Sequence, residues 1–125
     1  MRDRQWILEL DWQKPPLSLN DRPGWRREAK LKKYIRHTGS WLARAAGIPP
    51  LESIHVQLHW TPATNRTRDP DNPIATQKPL IDGLKDAGVV PDDSPRYVTW
   101  SPPQIHPADA THPRMWLEIN EGAHL

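Results

Sequence analysis

Hydrophobic and polar residues alternate over residues 6–12 (WILELDW), which puts Trp6, Leu8, Leu10 and Trp12 on one side. That period of two predicts a strand, stopped by Lys14-Pro15-Pro16. Residues 53–60 (SIHVQLHW) alternate as cleanly, with Ile54, Val56, Leu58 and Trp60 facing one way. His55, Gln57 and His59 fall on the other, polar side, expected to face solvent. Shorter strands are predicted over residues 96–102 and 114–120.

Between the first two strands, Leu31, Tyr34, Ile35, Thr38, Leu42 and Ala45 recur at helical spacing, predicting a helix over residues 23–46. Gly39-Ser40 is expected to weaken its middle or split it, and Gly47 followed by Pro49-Pro50 to end it. LSLND, residues 17–21, reads as a loop ending in cap-like residues. A second helix is predicted after Asn72-Pro73, with Asn72 as cap and Pro73 at the first helical position. Its apolar stripe is Leu80, Ile81, Leu84 and Ala87, and Gly88 ends it. Pro79 is expected to kink it or mark its true start. The order β-α-β-α-β-β predicts an α/β (α+β) domain, a small mixed sheet packed by two helices. The 125 residues suit a single domain spanning 1–125.

Composition changes the picture in three ways. The chain has no Phe but 7 Trp, so indole rings are expected to supply much of the large apolar volume. It has no Cys, which excludes disulfides and thiolate metal sites. Charge is uneven. Residues 1–50 carry 11 Lys and Arg against 5 Asp and Glu; residues 51–125 carry 6 against 10. A basic first part beside an acidic second part fits a polyanion-binding surface next to a carboxylate cluster, and equally two solvated faces of opposite sign. The opening MRDRQWILELDWQK holds no apolar run of signal-peptide length, and no stretch could span a bilayer. The expectation is a soluble, cytoplasmic protein.

The candidate chemistry lies in RDPDNP, residues 68–73. Pro70 pushes Asp69 towards extended geometry, in which Asp69 and Asp71 project to the same side. Two close carboxylates need a proton, an Arg or a hard cation to neutralise them. An EF-hand starting at Asp69 would put Pro73, Ile74 and Leu80 at its fifth, sixth and twelfth positions, which excludes it. A plain turn remains open, since Asp, Asn and Pro are turn residues. A second acidic pair, Asp92-Asp93, follows the second helix. Positions 71, 75, 78 and 82 share a helical face, so Lys78 and Asp82 could point to the same site. Lys78–Asp82 as a plain surface pair is the alternative.

The run Arg68-Asp69-Pro70-Asp71-Asn72, with Lys78, Asp82, Gly88 and Asp92-Asp93, resembles the RusA family of Holliday junction resolvases, closest to its phage and prophage branch. PPLSLNDR, residues 15–22, with Trp25 following, is similar to that family's opening segment. The likeness spans roughly residues 6–118. The chain is longer than the best-known members in residues 73–77, and carries Gly24 and Arg96 where the phage branch often has His and Glu.

The resemblance implies a RusA-like fold and a homodimer. The activity would be paired symmetric nicking of four-way DNA junctions, in recombination and repair. The cofactor would be Mg²⁺ or Mn²⁺, with no small-molecule cofactor. Asp69, Asp71 and Asp93 would hold the metal, and Lys78 would act in catalysis or on phosphate. Asp82, Asp92 and Asn72 would support them. Arg68, Asn20, Arg22, Arg26, Arg27, Lys30 and Lys33 would bind DNA, joined by Arg36 on the same basic helix. Two other readings stay open: a non-catalytic DNA-binding phage accessory protein, and a metal-dependent nuclease for other branched DNA or for RNA.

Overall fold

The computed structural model describes residues 4–66, 68–69 and 71–122. Seven elements follow in order: β1 (Gln5–Leu10), α1 (Trp25–Ala45), β2 (Ile54–Thr61), α2 (Ile74–Asp86), β3 (Val98–Trp100), β4 (Gln104–Ile105) and β5 (Arg114–Glu121). The architecture is α+β, a mixed sheet of five strands with two helices. β5 lies between β1 and β2 and is antiparallel to both. β3 and β4 both run parallel to β2, pairing with its residues 54–56 and 59–60. They share one edge of β2 and are separated by Ser101-Pro102-Pro103, where proline removes the ladder's N–H donors. The strand expected over 96–102 is therefore shorter, and β4 is an addition.

The alternation in sequence sets the two faces of the sheet. Leu8 and Leu10 of β1 register with Leu117 and Met115 of β5, which face Leu58 and Trp60 of β2. These residues are buried and form one core with Ile35 and Ala43 of α1 and Leu80, Ile81 and Leu84 of α2. The core is aliphatic rather than aromatic. Trp60 is its only buried indole among the described residues, while Trp25, Trp41 and Trp100 are exposed. The expected reliance on Trp is thus corrected: Leu, Ile and Val cover the inner sheet face, and most indoles sit at its margins.

α1 runs unbroken through Gly39-Ser40. Both residues are buried, because the two helices meet backbone to backbone there. A Cβ on Gly39 would lie 2.8 Å from the Leu80 carbonyl oxygen. One on Gly83 would collide with the Arg36 carbonyl and stand 2.7 Å from the Ser40 nitrogen. The Gly that weakens an isolated helix here allows the close approach of two.

α2 likewise continues through Pro79, which is buried. Pro73 stands at the cap position, and no side chain caps the helix, so Asn72 does not have its expected role. Both helices end as expected at a glycine, Gly47 (φ 68°) and Gly88 (φ 81°). In each, the amide of the residue after the glycine reaches back to the last turn: Ile48 to Ala43 at 3.2 Å and Val89 to Leu84 at 3.1 Å.

Candidate functional site

Two adjacent polar residues on the buried side of α2 hold the site's scaffold. The Thr76 hydroxyl donates to the Leu17 carbonyl at 2.6 Å and accepts the Leu17 amide at 3.2 Å. The Gln77 side-chain oxygen accepts the Leu58 amide at 2.8 Å, and its nitrogen donates to the Ser101 carbonyl at 3.0 Å. Gln77 thereby supplies the bonds that the β3–β4 break denies to β2. Thr76 ties the opening segment to α2, and the Leu19 amide donating to the Asn72 carbonyl at 3.1 Å adds a second tie. The two stretches that carry the sequence resemblance are thus joined in space.

Between them lies a basin of about 960 Å³. Lys14, Arg22, Arg27, Arg66 and Arg68 line it, with Asn20, Asp21, Asp69, Asn72 and Trp60. Five cations against two carboxylates make it electropositive. Several of its residues also hold their own loops. Arg68 lies 4.9 Å over the Trp60 ring and donates to the carbonyls of Thr64 and Arg66. Arg22 donates to the Leu19 and Asp21 carbonyls. Asp21 accepts the Ser18 amide at 2.8 Å, so it caps its own turn rather than α1, whose cap residue is Gly24. The Asn20 side chain accepts the Ser18 hydroxyl.

The acidic loop is a turn. The Asn72 amide donates to the Asp69 carbonyl, the Ile74 amide to the Asp71 carbonyl, and the Asp71 amide to the Asp69 carboxylate at 2.9 Å. Asp71 is therefore not in the extended run expected to project both carboxylates together. Asp69 and Asp71 are both exposed.

The other acids gather elsewhere. Asp82 and Asp93 are within hydrogen-bonding reach of each other, and the Asp82 pKa is raised, first by burial and then by Asp93, against the pull of Arg36. Asp92 lies 3.8 Å from Lys85, and its pKa is lowered chiefly by the Asp93 backbone amide. Among the described residues no group of three or more His, Cys, Asp or Glu side chains is gathered closely enough to hold a metal ion.

Lys78 and Asp82 do share a face and line one groove. Lys78 is exposed, its ammonium 6.0 Å from the centre of the Trp100 ring. Lys30, Lys33, Arg26 and Arg27 are exposed along α1, with the Arg26 guanidinium over Trp25. Arg36, expected to meet DNA with them, is engaged by Asp86 in two hydrogen bonds of 2.5 and 2.8 Å. That pairing holds the Asp86 pKa below its ordinary value.

A histidine cluster was not legible in the sequence. His55 and His59 lie on the polar side of β2, but neither faces solvent as expected. His55 is held by Thr99 and Ser101 at 2.8 and 2.7 Å. His59 is only 7% exposed. Its Nε2 meets a Glu118 carboxylate oxygen at 2.9 Å, and its Nδ1 meets Nε2 of His106 at 2.9 Å. The tautomer with its hydrogen on Nε2 would donate to the Glu118 carboxylate and accept from His106 at Nδ1. The His59 ring lies nearly parallel to Trp116, with centroids 4.9 Å apart. Arg114 caps that indole and is paired with Glu9. The signal available was the alternation of β5, which sets Trp116 and Glu118 on the same side; His106 lies in a proline-rich stretch without periodicity.

The fold and site define an α+β domain with an electropositive basin that Asp69 helps to line, and with Asp82 beside Asp93. No family model matches the chain. It is 34% identical over 85 residues to an uncharacterized protein of Xylella fastidiosa (strain Temecula1 / ATCC 700964), a match covering 64% of this chain and 56% of that relative. The chain thus spans about half the length of the curated relative it matches. No helix among the described residues is long and apolar enough to cross a membrane.

Proposed function

We propose that this chain is a divalent-metal-dependent endonuclease of RusA type, nicking branched DNA such as four-way junctions in the cytoplasm. The observation that carries the reading is the basin. Asp69 stands at the wall of an electropositive cavity, and the segments that carry its two sides are tied together by the hydrogen bonds of Leu19 to Asn72 and of Leu17 to Thr76. Cations along a nucleic acid bind its phosphates largely without regard to sequence, which suits recognition by shape. Arg22, Arg27 and Lys14 would hold the backbone, with Lys30 and Lys33 extending the contact along α1.

The donor set fits Mg²⁺ or Mn²⁺ in its chemistry, since every candidate ligand is a carboxylate oxygen. Burial, and then Asp93, raise the Asp82 pKa, so a cation bound beside the two carboxylates would relieve the cost of keeping both charged. Asp69, Asp71 and Asp93 would have to draw together around the ion, with Asp82 in support, since among the described residues no three acids are already grouped to hold one. Bound there, it would supply positive charge at the phosphate under attack. Lys78, four residues from Asp82 on the same helix face, would steady a phosphate oxygen. Two symmetric nicks are most simply made by a C2 dimer with two sites.

The test is cleavage of a labelled mobile four-way junction and a matched linear duplex, in Mg²⁺, Mn²⁺ or EDTA, by wild type and Asp71→Asn. Metal-dependent paired nicks confined to the junction, and absent in the variant, are expected. Junction binding without cleavage in either metal would overturn the enzyme reading. One observation favours that second reading, a DNA-binding protein without catalysis: among the described residues no three acids are grouped so that they could hold a metal ion.

A further inference from the structure

A groove of about 540 Å³ runs between α1 and α2 on the Lys78 side of the molecule. Its floor is apolar, formed by Leu19, Ala29, Ile74 and Pro79. Lysines stand along its rim. Lys32 is loosely paired with Glu28 at 3.9 Å, but among the described residues Lys33 and Lys78 have no carboxylate partner at ion-pair distance. Glu28 and Asp82 also line the groove, but Lys32, Lys33, Arg36 and Lys78 outnumber them, and an apolar slot with a cationic excess calls for a ligand that is flat and apolar in one part and anionic in another. The volume lies within the range of sites that take small organic molecules, about 300–1,000 Å³.

We infer that this groove receives an unpaired nucleobase of a DNA strand, with the flanking phosphates on Lys33 and Lys78. The inference rests on the nuclease reading above for its choice of polyanion. The charge complementarity comes from the two rim lysines, and the apolar complementarity from the floor. A base inside a duplex is stacked on both faces and cannot enter a slot, whereas an unpaired base can. Proteins that hold single strands combine a cationic track with aromatic rings on which bases stack; in this groove the aliphatic floor of Leu19, Ala29, Ile74 and Pro79 takes the place of the rings. The groove would thereby select branched or single-stranded DNA over linear duplex at a place distinct from the basin. Ala29 sets how much room is left, because it is exposed on α1 and lines the slot without contributing charge.

The experiment measures binding of fluorescein-labelled ten-residue oligothymidylate and of a fully paired hairpin, by anisotropy in EDTA. Wild type is compared with Ala29→Leu, which narrows the slot, and Lys33→Gln, which removes one rim charge. Methyl NMR of wild type follows Leu19 and Ile74 during the titration. Ala29→Leu is expected to weaken oligothymidylate binding roughly 5- to 10-fold while leaving the hairpin unchanged, the scale of one lost base contact. Lys33→Gln is expected to lower the salt dependence by about one phosphate contact. Leu19 and Ile74 methyl signals are expected to shift with the single strand only. Unchanged affinity in Ala29→Leu, or binding that leaves both methyl signals unmoved, would overturn the groove inference. Junction cleavage is scored separately on the same variants. Groove binding in a protein that never cleaves would sink the nuclease reading alone, and full cleavage with an indifferent groove would sink this inference alone.

Discussion

Replacing Gln77 by Leu tests the claim that one side chain couples α2 to the sheet. Gln77 is fully buried, and its amide makes two hydrogen bonds, to the Leu58 amide and the Ser101 carbonyl. Leucine is close in size and is itself favourable to bury. It leaves both backbone groups without a partner at the break between β3 and β4. Each orphaned buried group costs about 1–3 kcal/mol, and the added apolar contact offsets part of the total. A net loss of about 3 kcal/mol is expected. For a chain of this length that corresponds to a fall in Tm of roughly 10 °C.

Urea unfolding followed by circular dichroism measures it, with a lowered midpoint at unchanged slope. Gln77→Glu gives an internal check of sign. An ionised Glu would accept the Leu58 amide but set a second acceptor against the Ser101 carbonyl. Only the protonated acid can donate there, so its folded pKa is raised above the unfolded value. Its contribution is then fully present below the unfolded pKa and lost as pH rises through the folded one. The variant is expected to close part of its gap to wild type between pH 7 and pH 5. A Gln77→Leu protein as stable as wild type would refute the reasoning.

Three further outcomes are expected. Gly83→Ala should destabilise by about 2 kcal/mol in the same urea assay, because contact with the Arg36 and Ser40 backbone outweighs the helix-propensity gain of about 1 kcal/mol. Thr76→Val keeps its shape but frees Leu17, and should lower junction affinity in a gel-shift assay more than it lowers Tm. The His106 pKa is lowered first by burial, then by His59 and Arg114. The unfolded chain therefore binds more protons than the folded one just below the ordinary histidine pKa of about 6.5. Stability should fall as pH drops through that region, and thermal melts at pH 7.5 and 5.5 should show a smaller difference in His106→Asn.

The sequence by itself determined the local structure and the inward faces. Period two in SIHVQLHW and WILELDW depends only on which side of a strand is apolar, and both strands bury that side. Gly47 and Gly88 ended the helices because a left-handed residue is needed there whatever packs nearby. The acids were found by their spacing, and which of them meet, as Asp82 meets Asp93, was not, because distance between chain segments is not a local property.

Only the tertiary structure decided what covers the remaining faces. Gly39-Ser40 reads as a weak point until a second helix bearing Gly83 is laid against it. Gln77 reads as an ordinary polar helix residue until a strand with an interrupted ladder lies beneath it. His59 reads as exposed until Trp116, Glu118 and His106 close over it. In each case the hydrophobic pattern reports a residue's own preference for water. The partner that satisfies or replaces that preference comes from a distant part of the chain, so only folding supplies it.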